Sequence, residues 1–226
     1  MKRLNLIVVT TLMMCVVLSA SGQNFYAGFK GGLNYSDFKI TGDAVEQDVS
    51  PKLYFGIGGV FGVYLNKALS IQLEPMYLIK GSILKQDAPN PDYSIKASFI
   101  AMPLIVKFTF GKKVKPYVFA GPSFAYLLTS KVKGEIDGIT IETDWKDVSK
   151  RVGWNAHVGC GVQFPLGKGM FFIEGRYVHG LTNFNKGGTV EFEADGLTIP
   201  QEVDPEDELF SREFQVMVGY MLPFGG

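Results

Sequence analysis

Ile100-Ala101-Met102-Pro103-Leu104-Ile105-Val106-Lys107-Phe108-Thr109-Phe110 alternates along its whole length. Successive side chains of an extended strand point to opposite faces. Ile100, Met102, Leu104, Val106, Phe108 and Phe110 therefore share one face, which is entirely apolar. Ala101, Pro103, Ile105, Lys107 and Thr109 share the other, which carries a cation and a hydroxyl. An alternation of this kind over about ten residues marks a strand with hydrocarbon on one side and a polar interior on the other.

Seven further segments read the same way: 25–35, 53–65, 69–80, 116–129, 154–164, 171–178 and 214–224. The segment 116–129 is apolar on both faces, so its sides stay unassigned. Pro75 interrupts the third segment and predicts a local bulge, because proline inside a strand removes a ladder donor. Asn66-Lys67-Ala68, Gly111–Lys115 and Pro165–Gly169 are short turns, and they alternate with long loops at 36–52, 84–94, 130–150 and 184–211. The expected fold is all-β: an eight-stranded antiparallel up-and-down transmembrane β-barrel. Its short turns and termini lie at a periplasmic end and its long loops face outward. Closure leaves no unpaired backbone edge in hydrocarbon. Tyr64, Phe110, Tyr117, Phe164 and Phe224 are the expected periplasmic girdle, with Tyr35, Tyr77, Tyr126, Trp154 and Phe214 at the outer rim.

The N-terminus predicts export. Lys2 and Arg3 precede the apolar run Leu4–Leu18, and Ala20-Ser21-Gly22 offers small residues for cleavage. The expected organisation is a cleaved signal peptide at 1–22 and one outer-membrane barrel domain at 23–226. The run is short for a spanning helix, which needs about 20 apolar residues. A lipoprotein reading at Cys15 is disfavoured, since bulky Met14 precedes it and apolar sequence follows. Loss of Cys15 leaves Cys160 without an intrachain partner. The 22 Lys and Arg, two of them in the leader, balance 22 Asp and Glu. The mature chain is thus slightly acidic, and no nucleic-acid partner is expected.

Charge on the inward faces suggests what fills the barrel. Lys30, Lys80, Lys107 and Arg176 face inward with Glu74 and Glu174. An eight-stranded barrel is just wide enough for side chains to fill, and buried charges must pair. A structural plug of Lys30, Glu74, Lys107, Glu174 and Arg176 is therefore expected, with no open pore.

In the loops, Asp137-Gly138 and Asp195-Gly196 are each flanked by alternating β-formers, which predicts two hairpins. They would rise as a fence whose edges can accept a partner's strand, and Asp137, Gly138, Asp195 and Gly196 are the expected loop-interaction positions. Glu191, Glu193, Asp195, Glu202, Asp204, Glu206, Asp207 and Glu208 make the fourth loop acidic. Their spacing matches no defined calcium loop, so a solvated surface is the favoured reading and no metal site is assigned.

Enzyme chemistry finds little support. His157 is expected inward and His179 outward near the outer end, with no serine or carboxylate placed beside it for a lipid-modifying triad. Gly56-Ile57-Gly58-Gly59 precedes no helix, so it makes no phosphate site and no cofactor is implied. A periplasmic lipocalin-like binder is the main alternative, and it would be apolar inside and polar outside.

Gly31-Gly32-Leu33-Asn34-Tyr35-Ser36, Leu73-Glu74-Pro75-Met76-Tyr77 with Lys80-Gly81, Met102-Pro103-Leu104-Ile105-Val106-Lys107, Pro116-Tyr117-Val118-Phe119-Ala120-Gly121-Pro122, and Arg176-Tyr177 with Gly180-Leu181-Thr182-Asn183 occur in that order. Together they resemble the PorT family of outer-membrane β-barrel proteins over almost the whole mature chain. That family often has a carboxylate two residues before the fourth-strand proline, where this chain has Ala101. The resemblance implies an outer-membrane barrel; the family's namesake takes part in protein secretion, but the family implies no single activity. The expectation is a non-enzymatic monomer acting in surface interaction, envelope integrity or support of protein secretion. Its expected partners are outer-membrane lipids, lipopolysaccharide and a protein at the loops.

Overall fold

The computed structural model describes residues 25–41, 49–84, 93–136, 139–194, 197–204 and 208–224. The expected leader at 1–22, and Asp137, Gly138, Asp195 and Gly196, lie outside the described residues. The strands are β1 (Phe25–Thr41), β2 (Val49–Tyr64), β3 (Leu69–Leu73), β4 (Met76–Leu84), β5 (Tyr93–Thr109), β6 (Lys115–Ile136), β7 (Ile139–Asp144), β8 (Val152–Leu166), β9 (Gly169–Gly180), β10 (Gly188–Ala194), β11 (Leu197–Val203) and β12 (Glu208–Phe224).

Antiparallel pairing runs β1–β2, then β2 to both β3 and β4, both of these to β5, then β5–β6, β6–β8, β8–β9, β9–β12 and back to β1. β3 and β4 are two halves of one wall strand, so the ring has eight staves in up-and-down order. No described helix is long and apolar enough to cross a membrane, and the crossing elements are strands.

Pro75 breaks the third stave without inserting a residue, which corrects the expected bulge. Phe61↔Leu73 and Ile57↔Tyr77 keep one register with β2 across the break. The backbone is instead satisfied around the proline: Glu74 N donates to Pro103 O at 3.0 Å and Gly59 N to Pro75 O at 2.9 Å. The register shifts lie elsewhere, between Pro51 and Gly56 on β2 and between Ser98 and Phe99 on β5. The second leaves Leu128 as an extra residue on β6, because Thr129 pairs with Ser98 and Leu127 with Phe99. The inward phase of β6 changes there, from Tyr117, Phe119, Ser123, Ala125 and Leu127 to Ser130 and Val132.

Three tight turns join the staves at one end. Asn66 Oδ1 accepts from the amides of Ala68 and Leu69, closing the first. Gly111 takes φ +81° in the second, where a Cβ would fall 2.5 Å from Val114 O, so only glycine fits without strain.

The ring is apolar outside and mixed inside. Phe29 is 65% exposed, with Phe55, Ile57, Phe61, Val158, Val216 and Val218 also exposed. This is the reverse of a soluble ligand-carrying barrel. Outer-rim aromatics pair as Phe124–Trp154 and Tyr177–Phe214, and the opposite rim as Phe108–Phe110 and Phe164–Phe171. Two expected girdle residues turn inward instead: Tyr117 is buried and Tyr64 packs on the inner aromatic cluster. Glycine makes the room for such rings. A Cβ at Gly62 would fall 2.2 Å from Tyr26 Cζ, and one at Gly161 2.5 Å from Tyr117 Cζ.

Both expected hairpins are present. β6 pairs with β7 from Lys131↔Asp144 to Ile136↔Ile139, and β10 pairs with β11 from Gly188↔Val203 to Ala194↔Leu197.

Candidate functional site

Five of the six expected inward charges, all but Lys80, lie in the half of the barrel nearer the tight turns. Lys30 stands on β1, with Gly58 and Gly219 as its cross-strand neighbours. Glu174 and Arg176 stand two apart on β9, so they share a face, and their β8 neighbours are Gly161 and Gly159. These glycines leave the narrow interior open to long side chains. Glu74 occupies the gap between β3 and β4.

Four charges form a closed set. Lys30 Nζ lies 2.5 Å from Glu74 Oε2 and 3.1 Å from Glu174 Oε1. Arg176 Nη1 donates to Glu74 Oε2 at 2.8 Å, and its Nη2 also meets Glu174 Oε1. The side chains of all four are essentially removed from solvent. Tyr117 donates to Glu174 Oε2 at 2.9 Å. Gln72 donates to Glu74, and Tyr26 donates to Gln72 at 2.9 Å. Every carboxylate oxygen in the set therefore has a donor, which a buried ion network requires.

Lys107, the fifth expected member, is buried beside the set but makes no ion pair among the described residues. Its Nζ lies 5.0 Å from the ring centres of both Tyr26 and Tyr117. Ring faces attract a cation through their quadrupole, so the two tyrosines hold the charge that no carboxylate reaches. Arg176 likewise stacks on Phe119 at 4.7 Å.

A second interior pair was not anticipated as a pair. Lys80 Nζ lies 2.5 Å from Glu213 Oε1, both buried, with Gln215 donating to Glu213 Oε2 at 3.0 Å. The sign of it was available: Glu213 continues the inward phase of Gln215 and Met217 by one step. Between the two charged levels packs a layer containing Met76, Leu78, Phe99, Leu127 and Met217.

The outer mouth is closed by a strap at residues 181–187, also missed from sequence. Phe184 packs on Phe38 and Phe99, with ring centres 5.7 and 5.6 Å away. Phe184 N donates to Leu209 O at 2.7 Å, and Lys150 N donates to Phe184 O at 2.8 Å. Asn183 Oδ1 accepts from the amides of Asn185 and Leu209. Alternation says nothing about such a segment, because it is not a strand.

Among the described residues, the two histidines stand in separate settings. His157 faces inward with Nε2 2.8 Å from Ser123 Oγ, and both are buried inside the barrel. His179 faces outward and stacks on Tyr177, whose hydroxyl is 3.5 Å from Nδ1. No group of three or more His, Cys, Asp or Glu among the described residues is arranged to hold a metal ion. Cys160 is a free cysteine on the outer face of β8.

No curated protein matches the chain. Among solved structures, the chain is similar to a major outer membrane protein from Thermus thermophilus, at 12% identity over 90% of this chain and 100% of that one, with a TM-score of 0.54. It is also similar to the outer membrane protein OprG from Pseudomonas aeruginosa, at 10% identity over 91% of this chain and 97% of that one, with a TM-score of 0.49. The first likeness supports the barrel fold; identities this low speak to fold alone. The family model described as "Outer membrane protein beta-barrel domain" matches residues 20–186, in keeping with the closed ring and its apolar exterior, and the chain belongs to that outer-membrane family.

Proposed function

We propose that this chain is a non-enzymatic outer-membrane barrel whose interior is a structural plug and whose outward loops carry its interactions. The carrying observation is the Lys30–Glu74–Arg176–Glu174 set, which spans the lumen with every carboxylate oxygen donated to. The strap at Phe184 adds a second closure at the outer mouth. A proton or solute path needs groups that exchange with water, and these side chains are shut away from it.

The role that fits a sealed barrel is surface interaction, envelope integrity or support of protein secretion. The ordered motifs that resemble the PorT family support the last of these. Export by a cleaved leader at 1–22, and a monomer contacting outer-membrane lipids and a protein at the loops, belong to the same proposal. The hairpins β6–β7 and β10–β11 supply the loop surface.

Planar-bilayer recording on the refolded full chain tests the plug. No stable conductance above the lipid baseline is expected. A long-lived, ohmic open state would overturn it.

A further inference from the structure

The loop end carries a second feature that the plug does not use. Residues 146–152 and Lys186 enclose a cleft of about 410 Å³ lined by Lys146, Asp147, Ser149, Lys150, Arg151, Val152 and Lys186. Four cations thus face one carboxylate. Asp147 is 93% exposed and only 3.4 Å from Arg151 Nη2, an open pair that solvent screens strongly. Lys150 and Lys186 are also exposed.

The cleft is built rather than accidental. Lys186 N donates to Val148 O at 2.9 Å, Lys150 N donates to Phe184 O at 2.8 Å, and Ser149 Oγ donates to Trp145 O at 2.6 Å. Ser149 and Asn185 also form a β-bridge. The strap that closes the barrel mouth therefore fixes the spacing of Lys150 and Lys186.

Its height above the membrane is set by β8. Trp154, 53% exposed on the lipid side, belongs to the outer aromatic rim, and such rings sit at headgroup level. Arg151 is three residues further out, about 10 Å along the strand at roughly 3.3 Å per residue. Cations there stand beside the phosphates of outer-leaflet lipids.

We infer that this cleft binds the phosphate groups of a phosphorylated glycolipid in the outer leaflet, with Lys146, Lys150, Arg151 and Lys186 as its cations. The inference rests on reading the loop end as the cell surface, and it names a lipid partner and a site within that reading. Lys150 and Lys186 grip the phosphate from two segments, Arg151 adds a planar donor fork, and Trp154 marks the headgroup level below them. Clusters of cations held against an anionic lipid surface recognise it in this way.

Folded full-length protein in neutral detergent is titrated with lipid A carrying its phosphates, and with dephosphorylated lipid A, in the same micelles. Each cation near an anionic lipid surface contributes roughly a five-fold gain in affinity, so Lys150→Gln/Arg151→Gln/Lys186→Gln should bind phosphorylated lipid A about 100-fold more weakly. The same exchange at Lys112, Lys113 and Lys115, in the opposite turn, should change nothing. If the triple variant loses its heat-modifiable gel mobility, Lys186→Gln alone, expected about five-fold weaker, carries the test.

Equal binding of dephosphorylated lipid A, or an equal loss in the turn variant, would overturn the site. Competition by inorganic phosphate at matched phosphate concentration would reassign it to a free anion. A separate measurement guards the surface reading. In a Cys160→Ala background, Asp147→Cys should react with an impermeant maleimide on intact cells and Lys168→Cys should not. The reverse pattern would overturn the orientation while leaving micelle binding as it was found.

Discussion

Lys30 on β1 and Glu74 in the break between β3 and β4 meet at 2.5 Å across the lumen, with no water-exposed atom on either side chain. Glu74 also receives Arg176 from β9, the stave opposite its own in the ring, so one carboxylate holds cations from two other staves. Glu74→Ala would leave Lys30 and Arg176 sharing the one carboxylate of Glu174, with one buried positive charge in excess, a loss of about 3–5 kcal/mol where a buried pair is broken from one side. A urea titration of the folded band in detergent should show a large fall in midpoint. Replacing Lys30, Glu74, Glu174 and Arg176 together with apolar residues of similar volume should recover much of it. Equal midpoints for wild type and Glu74→Ala would mean that the set contributes nothing to stability.

Gly62 lies under the ring of Tyr26 and has space for no side chain. Gly62→Val should cost about 1–3 kcal/mol, the usual range for overpacking. Tyr26→Ala in the same chain should relieve the clash, so that the double variant is less destabilised than the two single losses add to. A double-mutant cycle on the unfolding midpoint reads this directly; strict additivity would contradict the packing described.

Phe184 covers the outer mouth while being only partly buried. Phe184→Ala should therefore cost less than the roughly 3–5 kcal/mol of a fully buried phenylalanine. Its clearer signature is local. The amides of Lys150 and Phe184, bonded through the strap, should lose exchange protection, while that of Glu74 keeps it. Conductance should stay at baseline, since the charged set lies below. A steady current in Phe184→Ala would show that the strap alone is the seal.

Arg212 and Asp37 form a two-pronged pair at the outer end of the β1–β12 seam, at 3.2 and 3.0 Å, with Arg212 43% exposed. Exposed pairs contribute about 0–1 kcal/mol. Arg212→Ala should move the midpoint by no more than that, and added salt should shrink the difference further. A loss comparable with that of Glu74→Ala would require this pair to be far drier than it is.

Strand faces were legible wherever alternation had two unlike sides. Lys30, Glu74, Glu174 and Arg176 converge because phase alone points them inward. β6 was not legible, because Phe119, Ala125 and Leu127 face in while the phase slips at Leu128. Tyr117 reads from sequence as a girdle residue; what turns it inward is Glu174 as an acceptor and Gly161 as space, neither adjacent in sequence. Lys107 shows the same limit. Its charge predicted a carboxylate partner, and the chain answers with two aromatic faces. Pro75 reads as a bulge because proline usually marks one, whereas here the backbone groups beside it pair with both neighbouring strands and the register is kept. The basic cleft is not legible in the sequence because Lys146, Lys150 and Arg151 lie in one loop and Lys186 in another.

The pairing of β1 with β12, continuous from Phe25↔Phe224 to Thr41↔Glu208, has a consequence for how the molecule is made. Among the described strands, the first to be synthesised has as its partner the last. Until residue 208 and those after it exist, β1 has one wall open, with its donors and acceptors unmet in any apolar medium. No partial chain can complete the ring, so insertion has to follow synthesis. The exported polypeptide must be kept unfolded across the compartment in between, and a truncation that removes β12 should leave a chain that is degraded rather than a smaller barrel.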